Sequence, residues 1–357
     1  MASNSRDYSF LDHDLFLDER GRIYFVLGHF QPPAKIISLL KYVPDSRGTW
    51  VHRETGKRYL RSYWHQGMDA VKGSDELGIK QDDSRFKSWM VHDEVFDASF
   101  LEVPRQVITK HLIPEKRMME LLEKDPSYQD PVERKVVSIV NTLVKTVNGF
   151  QGSLENIGIT GSILWRGHSS RSDINLNVYG RDCCNQVFRE LLHAGNQELS
   201  GTISVKQKSF NDFGKITVPA GGDIRLNRKP KLFMKDFAPG IQLRWCLREN
   251  EFPLTYGEEF FREIGFGSYK VRIIDDTYSI FYPALLLVES VDEWCNVCRI
   301  LVYDTRYIRL FRKGDVVTIS GLLQRIDKGD ACQLLIGSRA FSSREGVMFH
   351  EISTCGD

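Results

Sequence analysis

Gly158-Ile159-Thr160-Gly161-Ser162-Ile163-Leu164-Trp165-Arg166-Gly167-His168-Ser169-Ser170-Arg171-Ser172-Asp173-Ile174-Asn175-Leu176 is the stretch on which the reading of this chain turns. Asn156 to Ile159 is a short apolar strand that runs into Thr160-Gly161-Ser162, and Ile174 to Tyr179 is a second strand beyond a small polar loop. A Gly-Ser turn ahead of a helix lets backbone N–H groups, a hydroxyl and the helix dipole approach a phosphate chain. Residues i and i+2 of a strand share a face, so Asp173 and Asn175 look the same way. Two carboxylates at that spacing hold two hard cations for in-line phosphoryl transfer. Here the second position is Asn, which offers a neutral carbonyl oxygen and no charge.

Upstream, Asp130-Pro131 predicts a helix N-cap with Pro at the first helical position. Val132, Val136, Val137, Val140, Leu143, Val144 and Val147 then recur at helical spacing until Gly149. A further helix is expected from about Pro104 to Lys124, strands at Arg22–Leu27 and Lys35–Val43, and a hairpin over Trp50 to Tyr63. Gln31-Pro32-Pro33 breaks the chain between those strands. Downstream, Cys183 to His193 reads as a helix. From about residue 265 short strands separated by turns suggest an OB-like barrel. The expected organisation is three domains: 1–128, N-terminal and β-rich; 129–262, carrying the Gly-Ser and Asp173 motifs; and 263–357, the barrel.

The 357 residues carry 48 Lys+Arg against 47 Asp+Glu, a net charge of +1, so any surface for a polyanion has to be local. With 41% hydrophobic and 27% charged residues, disorder as the main state is excluded. No apolar leader or membrane-length apolar run is present, and the seven cysteines form no metal-binding pattern. The expectation is a soluble cytoplasmic protein with reduced thiols and no membrane partner. Phosphate-loop and nucleophile-elbow motifs are missing, which lowers P-loop and hydrolase readings.

The Gly161-Ser162 turn followed by Asp173-Ile174-Asn175 resembles the signature of the polymerase-β-like nucleotidyltransferase superfamily. The chain is also similar to a group of archaeal predicted nucleotidyltransferases. That likeness runs through Gln31-Pro32-Pro33, Leu40-Lys41-Tyr42-Val43-Pro44, Asn177-Val178-Tyr179-Gly180, Tyr256-Gly257-Glu258, and Asp275-Asp276 before Ile280-Phe281-Tyr282-Pro283. The resemblance implies an α+β fold with a central nucleotidyltransferase domain, an NTP site, and Mg²⁺ or Mn²⁺. The expected activity is transfer of a nucleotidyl group from an NTP to a hydroxyl of RNA, protein or a small molecule. Asp173 and Asn175 are the candidate catalytic and metal residues, with Asp223 as a third ligand and Asp212 as its rival. Gly161, Ser162, Arg171 and Ser172 are the candidate nucleotide contacts, and His168 a further phosphate contact. Arg225, Arg228, Lys229 and Lys231 form a basic patch suited to RNA phosphates. Because Asn175 stands where the superfamily has an acid, the alternative is an inactive relative that binds RNA or a ribonucleoprotein as an accessory factor.

Overall fold

The computed structural model describes residues 9–61, 88–150, 153–194, 198–200, 203–208, 216–218, 229–234, 237–291, 296–337 and 344–353. The first sheet contains β1 (Leu15–Asp18), β2 (Ile23–Val26), β3 (Lys35–Pro44), β4 (Trp50–Val51), β5 (Arg58–Arg61), β6 (Met90–Asp93), β7 (Ala98–Pro104) and β8 (Ile108–Leu112). Its main path runs β4-β5-β3-β2-β1-β8, with β7 joining β3 to β6. The ten-residue β3 is the spine, pairing with β2, β5 and β7 along its length. The Gln31 side chain closes the loop before it, accepting from the Ile37 N–H at 2.8 Å and donating to the Leu27 carbonyl at 2.8 Å. That is the structural use of the Gln-Pro-Pro break.

The helix expected over 104–124 is shorter. β8 first pairs with β1, Leu15 facing Leu112, and only at Pro114 does α1 (Pro114–Glu123) begin. The β-branched run Val107-Ile108-Thr109 favours the extended state, and Pro at the first helical position sets the start. α2 (Pro131–Thr146) forms as read: Asp130 accepts from the Val132 and Glu133 N–H groups at 2.7 and 3.0 Å in a capping box. It buries Val136, Ile139, Val140 and Leu143, each contributing about 1.5–3 kcal/mol.

The second sheet holds β9 (Ile157–Thr160) and β10 (Ile174–Tyr179), followed by α3 (Arg181–Ala194). β11 (Glu198–Ser200), β12 (Ile203–Lys208), β13 (Ile216–Thr217), β14 (Lys229–Met234) and β15 (Phe237–Cys246) come next. The sheet's order is β11-β12-β14-β15-β10-β9. All six residues of β10 are buried, and it lies antiparallel to β9 and parallel to β15, with Asn175 opposite Gln242. Such a strand, covered on both faces, reads as a continuous apolar and amide run. α1, α2 and α3 share one core with this sheet, and Ile280 and Phe281 from the next segment enter it.

β16 (Phe261–Tyr278), β17 (Ala284–Ser290), β18 (Val297–Val302), β19 (Val316–Ile326), β20 (Cys332–Ile336) and β21 (Gly346–Glu351) build the third sheet. Its order is β13-β21-β19-β16-β17-β18-β20, with β19 also paired to β20.

Among the described residues the protein is therefore mostly β, 45% strand and 19% helix, with three sheets and three α-helices. This corrects the expected fold class, an α+β protein with a central polymerase-β-like nucleotidyltransferase domain flanked by an N-terminal β-rich domain and a C-terminal OB-like barrel. Over the expected barrel domain, 263–357, lies a seven-stranded sheet that starts at Phe261, takes its edge strand β13 from the middle of the chain and turns back on itself through the β19–β20 pairing. No helix follows Gly161-Ser162: residues 161–166 form turns closed by Gly167 N–H to Ser162 O at 2.8 Å. Trp165 is drawn into the first sheet, 4.9 Å from Tyr42 and 5.0 Å from Tyr59 between ring centroids, and that anchoring ends any helical continuation. Among the described residues, no helix is long and apolar enough to cross a membrane.

Candidate functional site

A cleft of about 510 Å³ lies where the three sheets meet. The second sheet supplies Gly161, Ser162, Asp173 and Asn175, so the Gly-Ser turn and both members of the Asp-x-Asn pair line one space. Gly161 has φ +71°, a conformation that favours glycine, and a Cβ there would come within 3.3 Å of the Asn175 Nδ2. Glycine thus lets the chain leave β9 directly in front of Asn175. Thr160 fixes the other side by donating its hydroxyl to the His13 carbonyl at 2.8 Å.

The facing walls are cationic. Lys41 comes from β3 and Arg61 from β5; Arg244 comes from β15, and Arg306 and Arg309 from the turns after β18. Asp12 and Asp173 are the carboxylates among the lining residues. Arg306 is matched by Asp304 at 2.5 and 2.8 Å, but the others have weaker partners. Arg244 Nη2 donates to Gln242 Oε1 at 2.7 Å and to Asn175 Oδ1 at 3.5 Å, both neutral acceptors. Arg309 adopts φ +69°, and its Nε is buried without a hydrogen-bond partner among the described residues. Lys41 lies 5.0 Å from the Phe25 ring, and Arg61 lies 5.4 Å from that of Trp50.

The electrostatics follow from that crowding. Burial, with the Arg61 and Arg244 charges beside it, pushes the Lys41 ammonium down to about 7, against the pull of Asp173. Burial likewise pushes Arg309 down, with Arg244 adding to it, and pushes Arg244 down against the pull of Asp173 and Asp12. His13 is lowered by burial and by Arg244 and Lys41, with Asp12 opposing. An anion entering this space would relieve every one of these strains at once.

A two-metal site was the sequence expectation, and the residues do not fit one. Asp173 and Asn175 share a face, but the strand beside them presents Gln242 and Arg244. Gln242 Nε2 donates to Asp173 Oδ2 at 3.3 Å, and Arg244 donates to Asn175. One oxygen of each residue already receives an N–H donor, and one guanidinium offsets the one carboxylate. Two other groups among the described residues bring three metal-type ligand atoms within 4.8 Å of one another: Asp12, His13 and Cys246 at the cleft, and Asp130, Glu133 and His168. In the first, Asp12 already accepts from the Gly28 N–H at 2.7 Å and contacts His13 Nδ1 at 2.6 Å, while burial pushes the Cys246 thiol well up. In the second, Glu133 is bound by Arg117 at 2.6 Å and Lys124 at 2.7 Å, and Asp130 is bound by His168 at 2.8 Å.

The remaining sequence candidates sit apart or outside the described residues. Arg171 is exposed and Ser172 is buried, and neither lines the cleft; the Ser172 hydroxyl accepts from the Ser169 N–H at 2.9 Å within its own turn. His168 braces Asp130 at the start of α2. Asp212, Asp223, Arg225 and Arg228 lie outside the described residues, and Lys229 and Lys231 are placed on β14 by their backbone alone. Sequence reasoning missed Lys41, Arg244 and the Asp12-His13 pair. The available signal was a single basic residue inside an otherwise apolar strand, as in Leu40-Lys41-Tyr42 and Leu243-Arg244-Trp245.

With this geometry in view, the chain is similar to an uncharacterized protein of Methanocaldococcus jannaschii, 18% identical over 322 residues that span 87% of this chain and 90% of the relative. No family model matches the sequence. No solved structure matches it.

Proposed function

We propose that the chain is a nucleotide-binding protein whose central cleft takes a nucleoside triphosphate. The phosphates lie against Lys41, Arg244, Arg309 and the Gly161–Ser162 turn, and the base lies among the aromatic side chains of the first sheet, Tyr42 and Trp50. The observation that carries this reading is the charge mismatch: Lys41, Arg61, Arg244 and Arg309 line a space of nucleotide size without an ion-paired carboxylate among the described residues, while Arg306 is already matched by Asp304. Half-buried cations without anionic partners are costly to a fold unless a ligand supplies the charge. Aromatic rings beside them suit a nucleobase. Three stretches far apart in sequence support the reading by converging on the cleft: Lys41-Tyr42, Gly161-Ser162 and Ile280-Phe281-Tyr282.

Metal-dependent transfer of a nucleotidyl group to a hydroxyl is the second reading. It rests on Asp173, which lines the cleft next to the Gly-Ser turn. RNA enters as a competing ligand. Free thiols at Cys183, Cys184, Cys246, Cys298 and Cys332 support a reducing compartment such as the cytoplasm.

Titration of the full chain with ATP, GTP, CTP, UTP, adenosine and a short RNA tests the proposal. Saturable binding of triphosphates, lost for adenosine, is the expected result; binding of adenosine as tight as ATP, or of RNA alone, contradicts it. Incubation with α-labelled NTP, cellular RNA and protein separates the two readings. Label on a macromolecule that disappears in Asp173→Ala establishes transfer.

A further inference from the structure

We propose that the Arg244 guanidinium does the work that a divalent cation does at other nucleotide sites, so that this cleft holds phosphate without Mg²⁺. The inference rests on the nucleotide reading and deepens it. Asp173, Gln242, Arg244 and Asn175 form one hydrogen-bonded chain across β10 and β15, with links of 3.3, 2.7 and 3.5 Å. The strands are parallel and in register, Asn175 facing Gln242, so these side chains share the face that opens on the cleft. Metal ligation through Asp173 Oδ2 and Asn175 Oδ1 would require displacing both N–H donors, and ligation through any of these oxygens places a dication beside the Arg244 guanidinium.

The same arrangement suits an anion. A guanidinium has five N–H donors in a planar fork. The two acceptors recorded for Arg244 leave donors for phosphate oxygens, and both acceptors are neutral, so its charge is not matched by hydrogen-bonded carboxylate. Gln242 and Asn175 hold the fork in place through their amide oxygens. Arg309, with its unpartnered buried Nε, lines the same cleft. Phosphate oxygens between the two receive charge-assisted hydrogen bonds from both.

The experiment is calorimetric titration of the full chain with ATP and with tripolyphosphate, in EDTA and again in excess Mg²⁺. Wild-type protein is expected to bind in EDTA at least as tightly as in Mg²⁺. Arg244→Met should weaken binding by about ten- to a hundredfold in EDTA, and Mg²⁺ should not restore it. Arg244→Lys keeps the charge and loses the fork, and an intermediate loss is expected with an unchanged thermal melt. Binding by wild type only when Mg²⁺ is present overturns the proposal without needing any variant to fold. So does a folded Arg244→Lys or Arg244→Met protein that binds like wild type. Failure of the wild type to bind under either condition overturns the nucleotide reading itself, which is a different result. Asn175→Asp gives a further arm: its carboxylate would pair with Arg244 and weaken ATP binding in EDTA, whereas a gain of Mg²⁺-dependent binding would contradict the proposal.

Discussion

Two clusters of charged side chains flank the same turn, and they are built differently. At the start of α2, Arg117 and Lys124 meet Glu133 at 2.6 and 2.7 Å, while His168 and Arg53 meet Asp130 at 2.8 and 3.5 Å. Each acid has a base and a share in the capping box. In the cleft, Lys41, Arg61, Arg244 and Arg309 have no carboxylate within ion-pair distance among the described residues. The first cluster completes itself and holds the fold. The second is complete only with an anion supplied from outside. Matched buried charge thus marks structure, and mismatched charge facing a cleft marks a binding site.

Stability and binding should therefore separate cleanly between the two clusters. Glu133→Ala leaves the buried Arg117 with only the exposed Glu120 carboxylate, frees Lys124 and removes half of the capping box. Denaturant unfolding should show a loss of about 3–5 kcal/mol. Arg309→Met removes a cation with an unpartnered Nε. Unfolding free energy should stay within about 1 kcal/mol of wild type or rise, while ATP affinity falls by about tenfold. If Arg309→Met destabilised the protein as much as Glu133→Ala, the contrast between the clusters would collapse.

Lys41 sharpens the contrast through pH. Its ordinary value is 10.5 and burial brings it to about 7 in the folded chain, so between those values the unfolded chain holds a proton that the folded chain lacks. Stability rises with pH across that window. Anion binding needs the charged ammonium, so ATP affinity should fall as pH rises above about 7. Opposite slopes from thermal melts and titrations over pH 6.5–9.5, both flattened in Lys41→Met, are the expected outcome. The smallest effect belongs to Arg171→Ala. This exposed residue lies outside the cleft lining, and its removal should leave ATP affinity within about twofold of wild type by the same titration.

Half of the cleft was legible in the sequence. Gly161-Ser162 and Asp173-x-Asn175 carry local signals, a positive-φ glycine and a period-two strand, and they do meet. The other half was not, because a lone Lys or Arg in an apolar strand is ordinary surface alternation until the register brings several together. Only pairing β15 against β10 puts Arg244 beside Asn175, and only the packing of β3 toward the second sheet brings Lys41 into the same cleft. The fold was misread at Ile163-Leu164-Trp165, where an apolar run that could have continued as a helix instead docks Trp165 against Tyr42 and Tyr59. That contact joins residues more than a hundred positions apart, and no local pattern announces it. The Asp130 N-cap of α2, with Pro131 at the first helical position, is in contrast wholly local and formed as read.

The most direct test of the account is a crystal structure of the full chain with ATP in EDTA. The account predicts phosphate oxygens within hydrogen-bond distance of Arg244 and Arg309, in front of Gly161 and Ser162. A nucleotide bound elsewhere, or phosphates in the cleft that leave Arg244 bonded only to Asn175 and Gln242, would contradict it.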